Sequence, residues 1–452
     1  MMMMMMTMLS LLAAGAFCCV AALAIVFHAF RVGLARNATR SACRRRLHDP
    51  VHVGFLHPDF GIGGAENLVV NAALALQRKG VRVTIFTAHH DVSHCFEETR
   101  GDGPLARHVR VFGDWLPKTI AGKLFAFCAV LRILYVTLVV AIFYRHEIDA
   151  FFVDQVSVSI PFLRFLGIPV LFYGHYPDKL LVVHSGSRLK DLYRRPLDTL
   201  EEITTACSDC IVVNSKFTRE VFQRVFPRVA TRELGILYPP VDVSVFERHV
   251  ASAPRNPTLF VSLNRFERKK NVALAIHALA KLRDLVPAET YASTRLIVAG
   301  GYDPNNVENI EHLRELEVEV KKLGLQEHVE FRTSVSDHMK KELLCTAQAI
   351  VYTPDKEHFG IVPVEAMTCG TPVIAVNSGG PLESILHEET GFLCDGNADA
   401  FAHAMAQVCG QVNAQFVATI GAKGKQRAKE LFSLEAFAES LHSSIEGLFT
   451  QD

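Results

Sequence analysis

The sequence predicts an α/β protein built from two Rossmann-like, doubly wound domains facing across a cleft, with an N-terminal transmembrane helix. Three observations carry that expectation. Short β-branched runs alternate with helical runs twice along the 452 residues, over residues 51–250 and again over 258–430. A polar, proline-containing stretch from Ala251 to Pro257 separates the two series and reads as a hinge. Met8 to Phe30 carries no formal charge apart from His28, and as a helix it would run about 33 Å, enough for a bilayer core. Length agrees, because 452 residues exceed what one ordinary hydrophobic core organises.

Residues 1–50 read as a membrane anchor and basic linker. No cationic stretch precedes the apolar run, which disfavours a cleaved signal peptide. Arg31, Arg36, Arg40, Arg44, Arg45 and Arg46 follow it, so the positive-inside rule places the downstream chain on the cytosolic face. On that topology Asn37-Ala-Thr39 matches a glycosylation acceptor in pattern only. Eleven cysteines without a framework suit a reducing compartment. Cys207-Ser-Asp-Cys210 has no second ligand pair nearby and reads as structural cysteines rather than a zinc or redox site.

The first domain opens with a strand over Val51 to Leu56, a glycine-rich loop over His57 to Gly64, a helix over Ala65 to Lys79 and a strand over Val81 to Thr87. Leu68, Val69, Ala72 and Leu76 keep helical spacing within that unit. Ala150 to Val153, Val170 to Tyr173 and Cys210 to Asn214 are further strands. Residues 124–144 resist a soluble reading: Leu124 to Tyr144 is apolar except at Arg132, with Lys123 before it and Arg145 after it. The preferred reading is a helix lying in a membrane interface with its cationic ends toward headgroups; a plain buried helix is the alternative. In the second domain, strands are expected at Leu259 to Leu263, Arg295 to Ala299, Val329 to Phe331, Ala349 to Tyr352 and Pro372 to Val376. Ser433 to Phe449 reads as an amphipathic closing helix within residues 433–452.

Lys and Arg number 47 and Asp and Glu 47, a balance that argues against a general nucleic-acid surface and shifts attention to local sites. Ligands of parallel sheets bind beyond the carboxyl ends of strands, and four loops lie there. The most informative is Glu357-His-Phe-Gly-Ile-Val-Pro-Val-Glu365. A helix starting near Gly360 would aim unpaired N–H groups and a positive dipole end at a phosphate, with Glu357 beside the ligand. Glu365 could accept from both hydroxyls of a ribose diol; two solvated glutamates on a surface helix are the plain alternative. Gly61-Ile-Gly-Gly64 permits close backbone approach, or is simply a tight turn. In Asn264 to Asn271, Arg265 and Lys270 could neutralise a departing pyrophosphate, unless the run is a solvated turn. Tyr173 to Asp178 offers His175, with Asp178 near enough in sequence to act with it. Asn377-Ser-Gly-Gly-Pro-Leu-Glu383 suits close ligand approach, or a helix start capped by Ser378. No Asp-x-Asp pair occurs, which favours leaving-group stabilisation by side chains over a bound metal.

Together these residues resemble family 4 of the retaining glycosyltransferases, which have the two-domain GT-B fold and an E-x7-E signature matched by Glu357 and Glu365. Within it the chain is similar to the mannosyltransferases that build dolichol-linked N-glycan precursors. That likeness is carried by His57 to Glu66, Gly113 to Pro117, Phe172 to Asp178, Asn264 to Asn271, Val298 to Asp303, Tyr352 to Met367 and Val373 to Ser384. The resemblance implies GDP-mannose as donor and a dolichyl-pyrophosphate-linked Man1GlcNAc2 acceptor, with successive α-1,3 and α-1,6 additions at the cytosolic face of the endoplasmic reticulum membrane. It implies no prosthetic group or metal, no nucleic acid, contact with membrane lipid, and room for other transferases of the same pathway as partners. By the same resemblance Arg265 and Lys270 hold the diphosphate, Glu365 the ribose, and Glu357 with the Phe359-Gly360 backbone the mannose. His358, Ile361, Gly63 and Gly64 complete the donor set, His175 stands near the reacting centre, and Tyr176 and Asp178 join it on the acceptor side. A related transferase using a different nucleotide sugar and an inactive membrane scaffold are the competing expectations.

Overall fold

The computed structural model describes residues 50–120, 122–181, 188–250 and 254–450. The anchor expected over Met8 to Phe30 and its basic linker lie outside them. Two compact units are present, and contacts divide them differently from the expected hinge. The first holds described residues 50–212, 222–235 and 441–450; the second holds 213–221 and 236–440. Residues 236–250 therefore belong with the second unit, because Val241 and Phe246 pack with Val261 and Leu343 and Val241 N–H donates to the Phe432 carbonyl at 2.8 Å. The closing helix runs over Leu434–Thr450, and contacts assign it to the second unit through Ser440 and to the first from Leu441.

In the first unit seven strands form one sheet: β1 (His52–His57), β2 (Arg82–Thr87), β3 (Val109–Val111), β4 (Ala150–Asp154), β5 (Val170–Gly174), β6 (Cys210–Val213) and β7 (Gly235–Ile236). Their order is β3-β2-β1-β4-β5-β6-β7. Val53 pairs in parallel with Val83 on one side and Ala150 on the other. Every residue of β4 and β5 is buried, as a parallel sheet covered on both faces requires. Helix α1 (Gly64–Arg78) buries Leu68, Val69, Ala72 and Leu76, the stripe its spacing predicts.

Helix α2 (Phe125–Phe143) has two apolar sides. Cys128, Ile133, Val136, Thr137 and Val140 are buried, whereas Leu138, Ile142 and Phe143 are more than half exposed. Arg132, the break in the apolar run, is buried on the protein side and ion-paired to Asp59 at 2.5 Å. A wholly buried helix is thus not what forms.

The second unit has six strands: β8 (Leu259–Leu263), β9 (Arg295–Gly300), β10 (Val329–Thr333), β11 (Ala349–Tyr352), β12 (Val373–Val376) and β13 (Phe392–Cys394). Their order, β10-β9-β8-β11-β12-β13, repeats the pattern of the first sheet. Neighbouring residues feed opposite faces: Phe260 and Val351 pack with Leu279 and Phe401, while Val261 and Ile350 pack with Val364 and Met367. Strand order reverses between β1 and β4 in one unit and between β8 and β11 in the other, the places where such sheets leave a crevice at their carboxyl ends.

Candidate functional site

In the second unit the loops after β8 and β11 leave neighbouring strands and meet. Thr353 Oγ1 donates to the Lys270 carbonyl at 2.7 Å, which fixes one loop against the other. Lys270 Nζ donates to Glu357 Oε2, with both side chains about four-fifths buried. The Tyr352 hydroxyl, held well above its usual pKa by burial and by the Glu357 charge, hydrogen-bonds the same carboxylate. Burial alone would push Glu357 up, but the Lys270 ammonium outweighs it and keeps the carboxyl below its usual range. The result is an ionised pair at the entry of helix α3 (Ile361–Thr368).

Backbone geometry shapes that entry. Gly360 caps α3 at φ 81°, a left-handed conformation, and an added Cβ would lie 3.3 Å from the Tyr352 ring. Gly379, at φ 63°, brings its loop so close that a Cβ would meet the Glu357 carbonyl at 2.4 Å. Gly380 N–H then donates to the Glu357 carbonyl at 2.8 Å. Ser378 does not cap the following helix; its hydroxyl donates to Asp355 at 2.6 Å and accepts from Lys356 N–H at 3.0 Å. Glu383 is likewise committed locally, accepting from the N–H groups of Lys216 and Phe217 at 2.8 and 3.0 Å and from the Tyr238 hydroxyl at 3.0 Å.

The remaining members of the E-x7-E segment divide into packing and binding groups. The Phe359 ring is buried between Tyr238 and Phe432, at 5.7 and 5.6 Å, so its backbone is what it offers a ligand. The His358 carbonyl accepts from Ser215 Oγ at 2.5 Å, and burial pushes its ring toward the neutral form. Glu365 Oε1 accepts from Lys340 at 2.6 Å, whereas its buried Oε2 has no hydrogen-bond partner among the described residues. Burial raises the Glu365 carboxyl against the opposing Lys340 charge. A buried oxygen with spare acceptor capacity beside a cation suits a hydroxyl-bearing ligand. Arg265 is not brought onto Glu357: its side chain is 71% exposed and 3.6 Å from Glu267.

A second cluster lies in the first unit, at the carboxyl ends of β1, β4 and β5. His57 Nδ1 contacts Asp154 Oδ1 at 2.8 Å, and Asp154 Oδ2 contacts His175 Nε2 at 3.0 Å. Glu66, in the first turn of α1, is 3.6 Å from His57 Nε2. Gly63 and Gly64 form the β1–α1 turn beside it. The expected pairing of His175 with Asp178 is corrected: Asp178 Oδ2 accepts from Arg194 at 2.7 Å, and His175 takes Asp154 instead. Tyr176 is half-buried and burial raises its hydroxyl.

Burial would lower the His57 ring, but the Asp154 and Glu66 carboxylates outweigh it and raise it from 6.5 to about 10. Burial would raise Asp154, yet the His57 cation and the His175 hydrogen bond hold it at about 2. Linkage fixes the sign. A raised histidine contributes stability in full below its unfolded value and loses it as pH climbs through the folded one; a lowered aspartate contributes above its unfolded value and loses it as pH falls. The thermal midpoint of the intact chain is therefore expected to decline between pH 6.5 and about 10, and His57→Gln to flatten that decline. Equal slopes for the two proteins over that interval would refute the ion pair.

His57, Glu66, Asp154, Lys340 and Tyr352 were not singled out from sequence. His57 and Asp154 each close an apolar strand with a titratable group, a signal that was present; nothing in sequence points Lys340 at Glu365. Cys207 and Cys210 are free thiols. Among the described residues, no three His, Cys, Asp or Glu side chains are grouped to hold a metal ion.

Residues 62–245 match Glycosyltransferase Family 4 and residues 245–415 match Glycosyl transferases group 1. The chain is 45% identical over 401 residues to "Alpha-1,3/1,6-mannosyltransferase ALG2" of Homo sapiens, covering 86% of this chain and 94% of that protein. It is 43% identical over 422 residues to the protein of that name from Mus musculus, covering 91% and 99%. Among solved structures, a sucrose-phosphate synthase from Thermosynechococcus elongatus aligns with TM-score 0.66 at 21% identity, over 88% of this chain and 99% of that one. Anabaena HepE in complex with UDP aligns at 0.63 and 20% identity, over 88% and 100%. Those two likenesses show the two-sheet GT-B fold. With identity above 40% sustained over nearly the whole length of the mammalian proteins, the chain belongs to the α-1,3/1,6-mannosyltransferase family of glycosyltransferases.

Proposed function

We propose that this chain is a retaining mannosyltransferase that moves mannose from GDP-mannose, in α-1,3 and then α-1,6 linkage or the reverse order, to a dolichyl-pyrophosphate-linked Man1GlcNAc2 acceptor. The observation that carries the reading is the ionised Lys270–Glu357 pair at the start of α3, with the unfilled Glu365 oxygen on the same helix. Lys270 and Arg265 bind the diphosphate, Glu365 the ribose, and Glu357 with the backbone of His358 to Ile361 the mannose. Gly63 and Gly64 admit the donor closely at their turn, His175 works at the reacting centre, and Tyr176 and Asp178 contact the acceptor.

The donor diphosphate competes with Glu357 for Lys270. Its binding draws the ammonium off the carboxylate and leaves Glu357 free to accept from sugar hydroxyls, while Lys270 meets the charge that develops on the leaving oxygen. Glu357 is engaged by Lys270 and Tyr352, which suits an orienting group better than a nucleophile. Retention then follows a front-face course in which the departing phosphate oxygen takes the acceptor hydroxyl's proton, so no enzyme–glycosyl bond is needed.

We also place the catalytic units on the cytosolic side of the endoplasmic reticulum membrane, with the outer face of α2 against lipid. Leu138, Ile142 and Phe143 are exposed there, and Lys123 and Arg145 stand exposed just beyond its two ends to meet headgroups. The test supplies purified chain, GDP-mannose and a short lipid-pyrophosphate acceptor, and digests the products with linkage-specific mannosidases. Transfer from a UDP-sugar in place of GDP-mannose would overturn the donor. With the acceptor in vesicles, Leu138→Glu with Ile142→Glu is expected to slow transfer at least about tenfold and to leave transfer in detergent unchanged; equal rates in vesicles would refute the membrane face.

A further inference from the structure

We propose that Asp154 is a positioning residue for the transfer step: ion-paired through one oxygen to the buried His57, it holds the His175 ring with the other and fixes which ring nitrogen meets the ligand. The inference rests on the placement of His175 at the reacting centre. Its geometric basis is independent of that placement. β1, β4 and β5 are consecutive neighbours in the first sheet, and each delivers one member of the triad at its carboxyl end. His57 is 0% exposed, Asp154 1% and the His175 side chain 27%, so the line runs from the core outward.

Each contact leaves the next member one option. His57 Nδ1 occupies Asp154 Oδ1 at 2.8 Å, and its Nε2 faces Glu66 at 3.6 Å. A histidine between two carboxylates is held as a donor at both nitrogens, which neutralises Asp154 without protonating it. Asp154 Oδ2 then remains an acceptor, so the hydrogen of the His175 ring sits on Nε2, at 3.0 Å. The Tyr173 ring packs edge-on at 4.8 Å and limits the rotation of the imidazole. Nδ1 is thereby the nitrogen assigned to the ligand. Burying an aspartate and a charged histidine in a sheet core is costly where apolar side chains would pack as well, and that cost is consistent with a group retained for its effect on a neighbour.

The experiment is a double-mutant cycle on the full chain, with kcat and the KM for GDP-mannose measured for wild type, Asp154→Asn, His175→Ala and the double variant. Asp154→Asn is expected to lower kcat at least about tenfold in the wild-type background, with KM for GDP-mannose within about twofold, and to cost nothing further once His175 is alanine. Independent, multiplicative losses would overturn the inference, and so would an unchanged kcat for Asp154→Asn. If His175→Ala itself keeps full kcat, the placement of His175 fails first and the inference falls with it. Because Asp154→Asn could impair folding, nitrogen-15 NMR of the wild-type imidazoles supplies a readout without a variant: a His175 signal with its hydrogen on Nε2 supports the assignment, and one with the hydrogen on Nδ1 overturns it.

Discussion

Replacing Lys270 with alanine is expected to lower kcat with GDP-mannose by about 10²- to 10³-fold, the usual loss when a preorganised group facing developing negative charge is removed. Two effects combine. The leaving diphosphate loses a cation held in place by Thr353 and by Glu357 itself. Glu357 in turn loses the ammonium that keeps it ionised against burial. The KM for GDP-mannose should rise as well, because the diphosphate is bound before it departs. Arg265→Ala is a useful contrast, since that side chain lies largely in solvent and its charge is screened. Steady-state kinetics on both variants checks the order; a larger kcat loss for Arg265→Ala than for Lys270→Ala would reverse the assignment of the principal cation.

Glu357→Gln is expected to cost about 10²-fold or more in kcat, for a different reason. The amide keeps the size of the carboxylate but replaces one acceptor by a donor, so the hydroxyls of the sugar meet a mismatched partner. Lys270 also loses its counter-charge and the Tyr352 hydroxyl its strongest acceptor. Binding of GDP alone should weaken far less than turnover, because the nucleotide does not use this oxygen. Full turnover by Glu357→Gln, with the thermal midpoint preserved, would restore the reading of a fold that no longer catalyses.

The legible parts of this chain were those fixed by local chemistry. β8 and β11 fall on the expected residues because each is a short apolar run closed by loop formers, and Gly360 marks the start of α3 because few other residues take its backbone angles. β3, β7 and β13 escaped notice, being only two or three residues long, too short to show a period. The unit boundary was misplaced because Val241 and Phe246 declare their allegiance through distant partners such as Val261 and Leu343. The candidate site divides the same way. Glu357, Lys270 and His175 stood out by motif, whereas Asp154 and Lys340 acquire meaning only when β1, β4 and β5, or the helix Asp337–Thr346 and α3, are brought together.

The Arg132–Asp59 pair gives the apolar helix a second significance. Arg132 is 3% exposed, and its Nε and Nη2 have no other hydrogen-bond partner among the described residues. Asp59 stands two residues beyond His57 and two before Gly61. The position of α2 and the path of that glycine-rich loop are therefore not separate variables: moving one either breaks a buried ion pair or carries the other with it. Whatever free energy a lipid surface invests in seating the helix is shared with the loop. By reciprocity, a ligand that favours one loop path alters the affinity of the whole chain for the surface on which its acceptor is held.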